Sequence, residues 1–334
     1  SVSRLIKVTE TLGEFGIIKT YFSPLTAAEK GAFNLTDDAA IVEIPSGKNV
    51  VVTTDTLVEG IHFLSEDLPE NIAAKLLRVS LSDLAAMGSM PAYYNLSIAT
   101  KLSTTSDWFK GFAEGLLADQ MQFGITLIGG DTVATTGPLT LSITAMGLVE
   151  KGKAIRRDGA KSGDDIWVSG SIGDAALGLK AATGKLCSIS EVNKKYLISR
   201  YIKPNPQTLL GPKLANLVNA AIDVSDGLIA DLSHICETSN LGANIQITDI
   251  PLSRAAKMLV TAKPDYIDLI LGGGDDFELL FTADKSFRTV EKSLTRMLNV
   301  SLTKIGTMVS RRSIQIFDEA GEQYSLPNIG YTHF

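Results

Sequence analysis

The sequence predicts an alternating α/β chain divided into two domains, and three observations carry that expectation. At 334 residues the chain is longer than one ordinary core organises, so two domains of roughly 150 to 180 residues are the default. Short β-branched runs alternate with amphipathic helical stretches from end to end. A polar, glycine-bearing segment, Arg156-Arg157-Asp158-Gly159-Ala160-Lys161-Ser162-Gly163, interrupts that alternation near the middle. The boundary is expected near Glu150, giving domains 1–149 and 150–334.

In the first half, apolar Leu12, Phe15, Ile18 and Phe22 predict a helix over Thr9 to Phe22. Glu29 to Thr36 reads as a mobile loop that ends in Asp37-Asp38-Ala39-Ala40. After the turn Pro45 to Asn49, the β-branched run from Val50 predicts a strand buried on both faces. Pro69 to Met87 reads as a long helix with Leu76, Leu77, Val79, Leu81 and Leu84 inward, ended by Pro91. Ala92 to Ala99 reads as a strand and Ser106 to Gln122 as a helix with Ser106 as N-cap. Ile125 to Ile128 reads as a strand running into Gly129-Gly130-Asp131-Thr132, and Leu139 to Val149 closes the half.

In the second half, Ile166 to Ser169, Ala220 to Val224, Ala243 to Ile247, Phe277 to Thr282, Thr303 to Val309 and Ser313 to Phe317 read as strands. Asp174 to Ala182, Leu228 to Thr238 and Ser286 to Met297 read as helices. Pro204 to Pro206 is a rigid turn. Ile267 to Leu271 is an apolar lead, taken as a strand, into Gly272-Gly273-Gly274-Asp275-Asp276.

Composition narrows the function. A hydrophobic content of 45% with 20% charged residues suits a globular protein, and no apolar run reaches the roughly 20 residues that span a bilayer. No signal-peptide pattern opens the chain, and Ser1-Val2-Ser3, without a Met, reads as a processed end or an expression remnant. Acidic residues outnumber basic ones, 37 to 31, for a net charge of −6, which disfavours nucleic-acid binding. The two cysteines, Cys187 and Cys236, show no metal-ligand spacing and read as reduced thiols of a cytoplasmic protein.

Chemistry concentrates in Thr53-Thr54-Asp55-Thr56, at the expected end of the Val50 strand, with Glu59 and His62 following. Asp38, Asp83, Asp131, Asp223, Asp226 and Asp275 stand in similar settings, after apolar runs or beside glycines. One such aspartate is usually a cap or turn residue. Many brought together would repel unless cations neutralised them. Oxygen donors with little histidine and no cysteine point to magnesium or manganese, and magnesium in turn to a nucleoside triphosphate. Gly129-Gly130 and Gly272-Gly273-Gly274 would let backbone N–H groups approach phosphate, although neither matches a Walker or Rossmann pattern. Arg157 is the best cation for a phosphate. Among three histidines, His234 reads as a packing or surface residue, and no Ser/His/Asp or Cys/His arrangement stands out. A phosphate monoester, its second pKa about 6, would need no strong base as nucleophile.

These blocks together resemble the thiamine-monophosphate kinase family, within the superfamily of aminoimidazole ribonucleotide synthetase and selenophosphate synthetase. The resemblance rests on Asp37-Asp38-Ala39-Ala40, Thr53 through Phe63, Leu81 through Gly88, Ile128-Gly129-Gly130-Asp131-Thr132, Arg157-Asp158-Gly159-Ala160, Ile222 through Leu228 and Gly273-Gly274-Asp275-Asp276-Phe277-Glu278. It implies a two-domain aminoimidazole ribonucleotide synthetase-like fold, with an N-terminal sheet pairing across a homodimer and a C-terminal α/β domain. It implies ATP-dependent phosphorylation of thiamine monophosphate to the diphosphate, with magnesium. Asp38, Thr53, Thr54, Asp55, Asp83, Asp131, Asp223 and Asp226 would hold the metal, and Asp55, Asp131 and Asp226 would be catalytic. Gly130, Asp131, Arg157 and Ser225 would contact ATP, while His62, Asp275 and Tyr331 would face the thiamine phosphate.

Three departures stand against that pattern. Thr36 replaces the family's glycine before the paired aspartates, Asp275 replaces a glutamate, and Tyr331 falls where some members carry tryptophan. Two other readings stay open. A selenophosphate synthetase-like enzyme would need a reactive Cys or selenocysteine early in the chain, and none precedes Cys187. A divalent-cation-binding protein without catalysis would bind metal and turn over no ATP.

Overall fold

The computed structural model describes residues 12–186, 189–328 and 330–331. Thr9 to Thr11 of the expected first helix, the opening Ser1-Val2-Ser3, Cys187 and His333 lie outside the described residues. Two compact units emerge: one from residues up to 43, 54–77 and 93–144, the other from 44–53, 78–92 and 145–334.

Helix α1 (Glu14–Ile17) continues through a wider π turn, Ile18–Phe22, into a 3-10 turn at Ser23–Thr26. The expected mobile loop is instead a second 3-10 segment, Lys30–Leu35, broken where Phe33 and Asn34 take positive φ. Strand β1 (Lys48–Val58) is longer than its apolar run, so Thr53 to Thr56 lie within it rather than past its end. It is also not buried on both faces: Val50 and Val52 are 39% and 59% exposed. Its side chains alternate in period 2, and one face is left uncovered.

Helix α2 (Pro69–Ala86) buries Leu76, Leu77, Val79, Leu81 and Leu84 as expected. Gly88, at φ +70, turns the chain out of it, while Pro91 lies inside the next strand, β2 (Met90–Thr100). Helix α3 (Ser106–Phe123) is capped one residue earlier than expected, by Thr105, whose hydroxyl accepts from the Trp108 N–H. Strand β3 (Thr126–Ala134) continues through Gly129 to Thr132, so those glycines are sheet residues and not a turn. Strand β4 (Thr140–Glu150) completes, among the described residues, a four-stranded sheet of order β1-β4-β2-β3, with β2 and β3 parallel.

Within the first unit, buried Gln120 ties elements together: its Oε1 accepts from the Tyr94 hydroxyl at 2.9 Å and the Leu127 N–H at 3.1 Å. Its Nε2 donates to the Leu25 carbonyl at 2.9 Å. Each polar atom of the amide is thereby answered inside the core.

The second sheet, seven-stranded among the described residues, has the order β11-β10-β7-β9-β5-β8-β6. Its strands are β5 (Asp165–Ser169), β6 (Ala220–Asp223), β7 (Gly242–Gln246), β8 (Leu279–Ala283), β9 (Leu302–Val309), β10 (Ile314–Phe317) and β11 (Gln323–Tyr324). All pairings are antiparallel except β7 with β10. Helices α4 (Asp174–Ala182), α5 (Glu191–Ile202), α6 (Leu210–Leu214), α7 (Leu228–Ser239), α8 (Arg254–Ala262), α9 (Tyr266–Gly272) and α10 (Glu291–Leu298) complete the unit. The lead into Gly272 is therefore helical and not a strand. The expected Ser286 to Met297 helix is a 3-10 turn, Lys285–Thr289, followed by α10. Helices α5, α6 and α8 and strand β11 had no counterpart in the sequence reading.

A buried ion pair braces this unit. Arg200 donates to Glu278 Oε1 at 2.9 Å, and Ser169 and Gln207 donate to Glu278 Oε2 at 2.5 and 2.8 Å. Burial raises the Glu278 carboxyl above its ordinary value, while Arg200 draws it down. Removing one partner leaves the other charge stranded. Arg200→Met is expected to cost about 3–5 kcal/mol, and adding Glu278→Met should recover most of the loss. Urea unfolding of both variants checks this; equal losses in the single and double variants would contradict it.

Candidate active site

In the first unit, one cleft of about 200 Å³ gathers two sequence blocks. Asp37, Asp38 and Ala39 form one side, and Gly129, Gly130, Asp131 and Thr132 on β3 form another. The acidic loop is closed at its base by Ile41 N–H donating to the Gly31 carbonyl at 2.8 Å. Only glycine fits there, because a Cβ on Gly31 would lie 1.7 Å from the Ile41 oxygen. Gly130 is constrained likewise, 2.0 Å from the Leu96 carbonyl of the neighbouring strand. Thr36 needs no glycine: its φ is −103°, and its hydroxyl donates to the Phe33 carbonyl at 2.6 Å.

Along β1, Thr53 and Asp55 share one face and Thr54 takes the other. The Thr54 hydroxyl lies 3.0 Å from that of Thr144 on β4, and Thr56 pairs with Ser142 in the same way at 2.7 Å. His62 follows the strand in a tight turn. Its Nδ1 accepts from the Val58 N–H at 3.0 Å, which leaves the ring proton on Nε2. Lys75 donates to the His62 carbonyl at 2.9 Å and fixes the turn from below.

In the second unit, Thr53 donates a short hydrogen bond to Asp83 on α2. Burial raises the Asp83 carboxyl, while the Thr53 hydroxyl and the Arg157 guanidinium pull it down. Thr53 and Asp83 are thus paired, within the electrostatic reach of Arg157. The carbonyl of Arg157 accepts from the Thr238 and Ser239 hydroxyls on α7, both at 3.1 Å, anchoring its loop.

A second cluster lies where β6 ends. Asp223, 3% exposed, is the last residue of that strand. The following loop, Val224 to Gly227, packs back to back with Gly272 to Phe277. Asp275 N–H donates to the Ser225 carbonyl at 2.9 Å, and Phe277 N–H to the Val224 carbonyl at 2.8 Å. Any side chain on Gly274 would meet the Ser225 oxygen at 2.1 Å. Asp275 holds φ +70, a conformation that aspartate tolerates better than longer side chains. Its replacement of glutamate therefore suits this turn. Tyr331, half exposed, donates its N–H to the Asp226 carbonyl at 3.0 Å, so the chain end lies on the same loop.

Sequence reading missed two buried carboxylates here. Asp231 on α7 accepts at one oxygen, Oδ2, from three successive amides, Ser225, Asp226 and Gly227, at 2.9, 3.0 and 3.1 Å. Burial pushes its carboxyl up to about 7. Ligand-capable atoms of Asp226, Asp231 and His234 lie within 4.8 Å of one another. Asp276 accepts from the Gly173 and Ala175 N–H groups at 2.7 and 3.2 Å. An acid in the first turn of a helix, as Asp231 is, was the available signal, and it reads as an ordinary complement to the helix dipole.

Family models match both halves. The model described as AIR synthase related protein, N-terminal domain, covers residues 36–149, and that of the C-terminal domain covers 161–319. The chain belongs to the AIR synthase related family. Within it, the chain is 38% identical over 323 residues to thiamine-monophosphate kinase of Escherichia coli (strain K12), spanning 96% of this chain and 98% of that one. The crystal structure of thiamine-monophosphate kinase from Stenotrophomonas maltophilia K279a is 41% identical, with a TM-score of 0.80 over 87% of this chain and 91% of that one. AaThiL complexed with AMPPCP and TMP is 28% identical, with a TM-score of 0.77 over 99% and 100%.

Burial raises Asp276 to about 8, far above its unfolded value. The folded state therefore holds a proton that the unfolded chain releases near pH 4, and this contribution to stability is lost as pH rises through 8. Wild type should lose up to about 1.4 kcal/mol per pH unit between pH 5 and 7 from this group. Asp276→Asn should flatten that slope in urea unfolding; an unchanged slope would contradict the assignment.

Proposed function

We propose that this chain transfers the γ-phosphoryl group of ATP to thiamine monophosphate, giving thiamine diphosphate and ADP. The observation that carries this reading is the near end-to-end match to the E. coli thiamine-monophosphate kinase, at 38% identity. The relative solved with AMPPCP and TMP, similar over 99% of this chain, supports the same pair of substrates.

The residues suit magnesium. Asp38, Asp55, Asp83, Asp131, Asp223 and Asp226 offer carboxylate oxygens and Thr53 a hydroxyl, the hard donors that this ion prefers. Thr54, on the opposite face of β1, reaches a cation on the Thr53 side only through its backbone carbonyl. The raised Asp83 carboxyl fits a group that a divalent cation keeps ionised. A magnesium ion held by these groups would neutralise charge on the transferring phosphates.

Asp55, Asp131 and Asp226 are the acids on which the transfer depends most in this proposal. Gly130, Asp131 and Ser225 hold ATP, and Arg157 meets its phosphates. His62, with its proton on Nε2, donates toward the acceptor phosphate. Tyr331 offers its ring, and Asp275 its carboxylate, to the thiamine moiety. An ionised oxygen of the acceptor phosphate attacks the γ-phosphorus, the bond from that phosphorus to the β–γ bridging oxygen breaks, and ADP leaves. No side chain has to take a proton, so the step is positioning and electrostatics.

The wider arrangement belongs to the same proposal. Domains run 1–149 and 150–334, a division supported by the gap between the two family matches. Exposed Val50 and Val52 on β1 support a homodimer that covers this face of the sheet. No helix among the described residues is long and apolar enough to cross a membrane. Use of ATP supports a cytoplasmic setting.

With ATP, magnesium and thiamine monophosphate, ADP and thiamine diphosphate should appear one for one. Asp55→Asn and Asp131→Asn should each cut turnover about a hundredfold or more with folding intact. ADP without diphosphate would overturn the acceptor, and near-normal rates in either variant would overturn its assigned role. Sedimentation of the purified chain tests the dimer, which a monomer at micromolar concentration would contradict.

A further inference from the structure

We infer that Asp231 is a positioning residue for the metal-binding loop: it sets the backbone of Ser225, Asp226 and Gly227 so that Asp226 is held ready for the cation. The inference rests on the role proposed above for Asp226.

Geometry separates this from ordinary helix capping. Helix α7 begins at Leu228 with Gly227 as its N-cap, so the amides of Ser225 and Asp226 belong to the preceding loop. All three N–H groups nevertheless converge on the single Oδ2 of Asp231, at 2.9 to 3.1 Å. The carboxylate is 2% exposed, within the helix's first turn. Three consecutive amides aimed at one atom fix the φ and ψ angles between them, and Gly227 at φ +136 is what lets the chain curl that way. A side chain there would strike Gly272, whose carbonyl oxygen lies 2.9 Å from the position of a Cβ.

From outside, the same loop is clasped twice more. Asp275 N–H donates to the Ser225 carbonyl, and Tyr331 N–H to the Asp226 carbonyl. Gly330 lies so close to α7 that a Cβ would sit 2.3 Å from the Ala230 Cβ. Amides are thus held from the α7 side and carbonyls from the other. The Asp226 side chain is the part of its residue left to serve a ligand. Asp231 touches no substrate in this account; it acts through Asp226.

Asp231→Asn keeps the shape of the side chain and removes the charge that gathers the amides. The half-saturating magnesium concentration for turnover, and for binding of AMPPCP, should rise about tenfold or more. Turnover at saturating magnesium should recover to within about threefold of wild type, since supporting groups weaken metal binding more than chemistry. A purely structural role would lower the melting temperature and leave the magnesium requirement unmoved; that result would overturn the inference. Amide hydrogen exchange gives an independent reading in wild type: Ser225, Asp226 and Gly227 should be protected although they lie in a loop, and fast exchange at all three would overturn it even if the variant fails to fold. Wild type without magnesium-dependent turnover would remove the proposed function, whereas normal wild type with an unaltered Asp231→Asn requirement would remove only this inference.

Discussion

Like charges brought close on a rigid scaffold are the constraint on which the rest of this structure depends. Carboxylates recur in each unit: in the first, Asp38 and Asp131 share one cleft, and in the second, Asp223 ends β6 and Asp226 lies in the loop that follows. Such groups repel in the absence of cations. Their placement makes sense if divalent ions and phosphates complete the charge balance, the cations bridging an acidic protein to an acidic ligand. Thr53, Ser225 and the amides of the loops add neutral donors and acceptors without adding charge.

Backbone geometry, more than side-chain number, shapes the site. Gly31, Gly130 and Gly274 each stand where a Cβ would strike a carbonyl oxygen at 1.7, 2.0 and 2.1 Å. They close the acidic loop, seat β3 against β2, and let the Ser225 loop lie against the Gly272 to Phe277 turn. Just after that turn, buried Glu278 is held by Arg200, Ser169 and Gln207. A block of sequence that looks like one motif, Gly273 to Glu278, thus divides its labour. Asp275 is half-buried at positive φ, while the buried Asp276 and Glu278 hold the turn from within.

Local pattern made much of this legible. Helix α2 with its inward leucines, helix α4 from Asp174 to Ala182, and the strands ending at Asp223 and Ser169 all follow from periodicity and punctuation. The family, and with it the fold, was readable from the ordered acidic and glycine blocks. What escaped depends on tertiary neighbours. Whether Val50 and Val52 are covered is decided by what packs on the sheet, and β-branched residues look alike on either face. Short α9, an apolar run before three glycines, cannot be told from a strand by periodicity. Gly129 and Gly130 read as a turn because glycine usually marks one, yet here they allow close strand approach. Asp231 looks like any acid in a first helical turn until the loop folds back upon it.

The claim at the centre of this account is that cations join these carboxylates to the phosphates of ATP. Calorimetric titration of the whole chain with AMPPCP, in magnesium and then in a chelator, tests it most directly. The account predicts binding in magnesium that disappears when divalent ions are removed and returns when they are restored. Equal affinity in the chelator would contradict it, because Arg157 and the loop amides would then be holding the triphosphate without divalent ions.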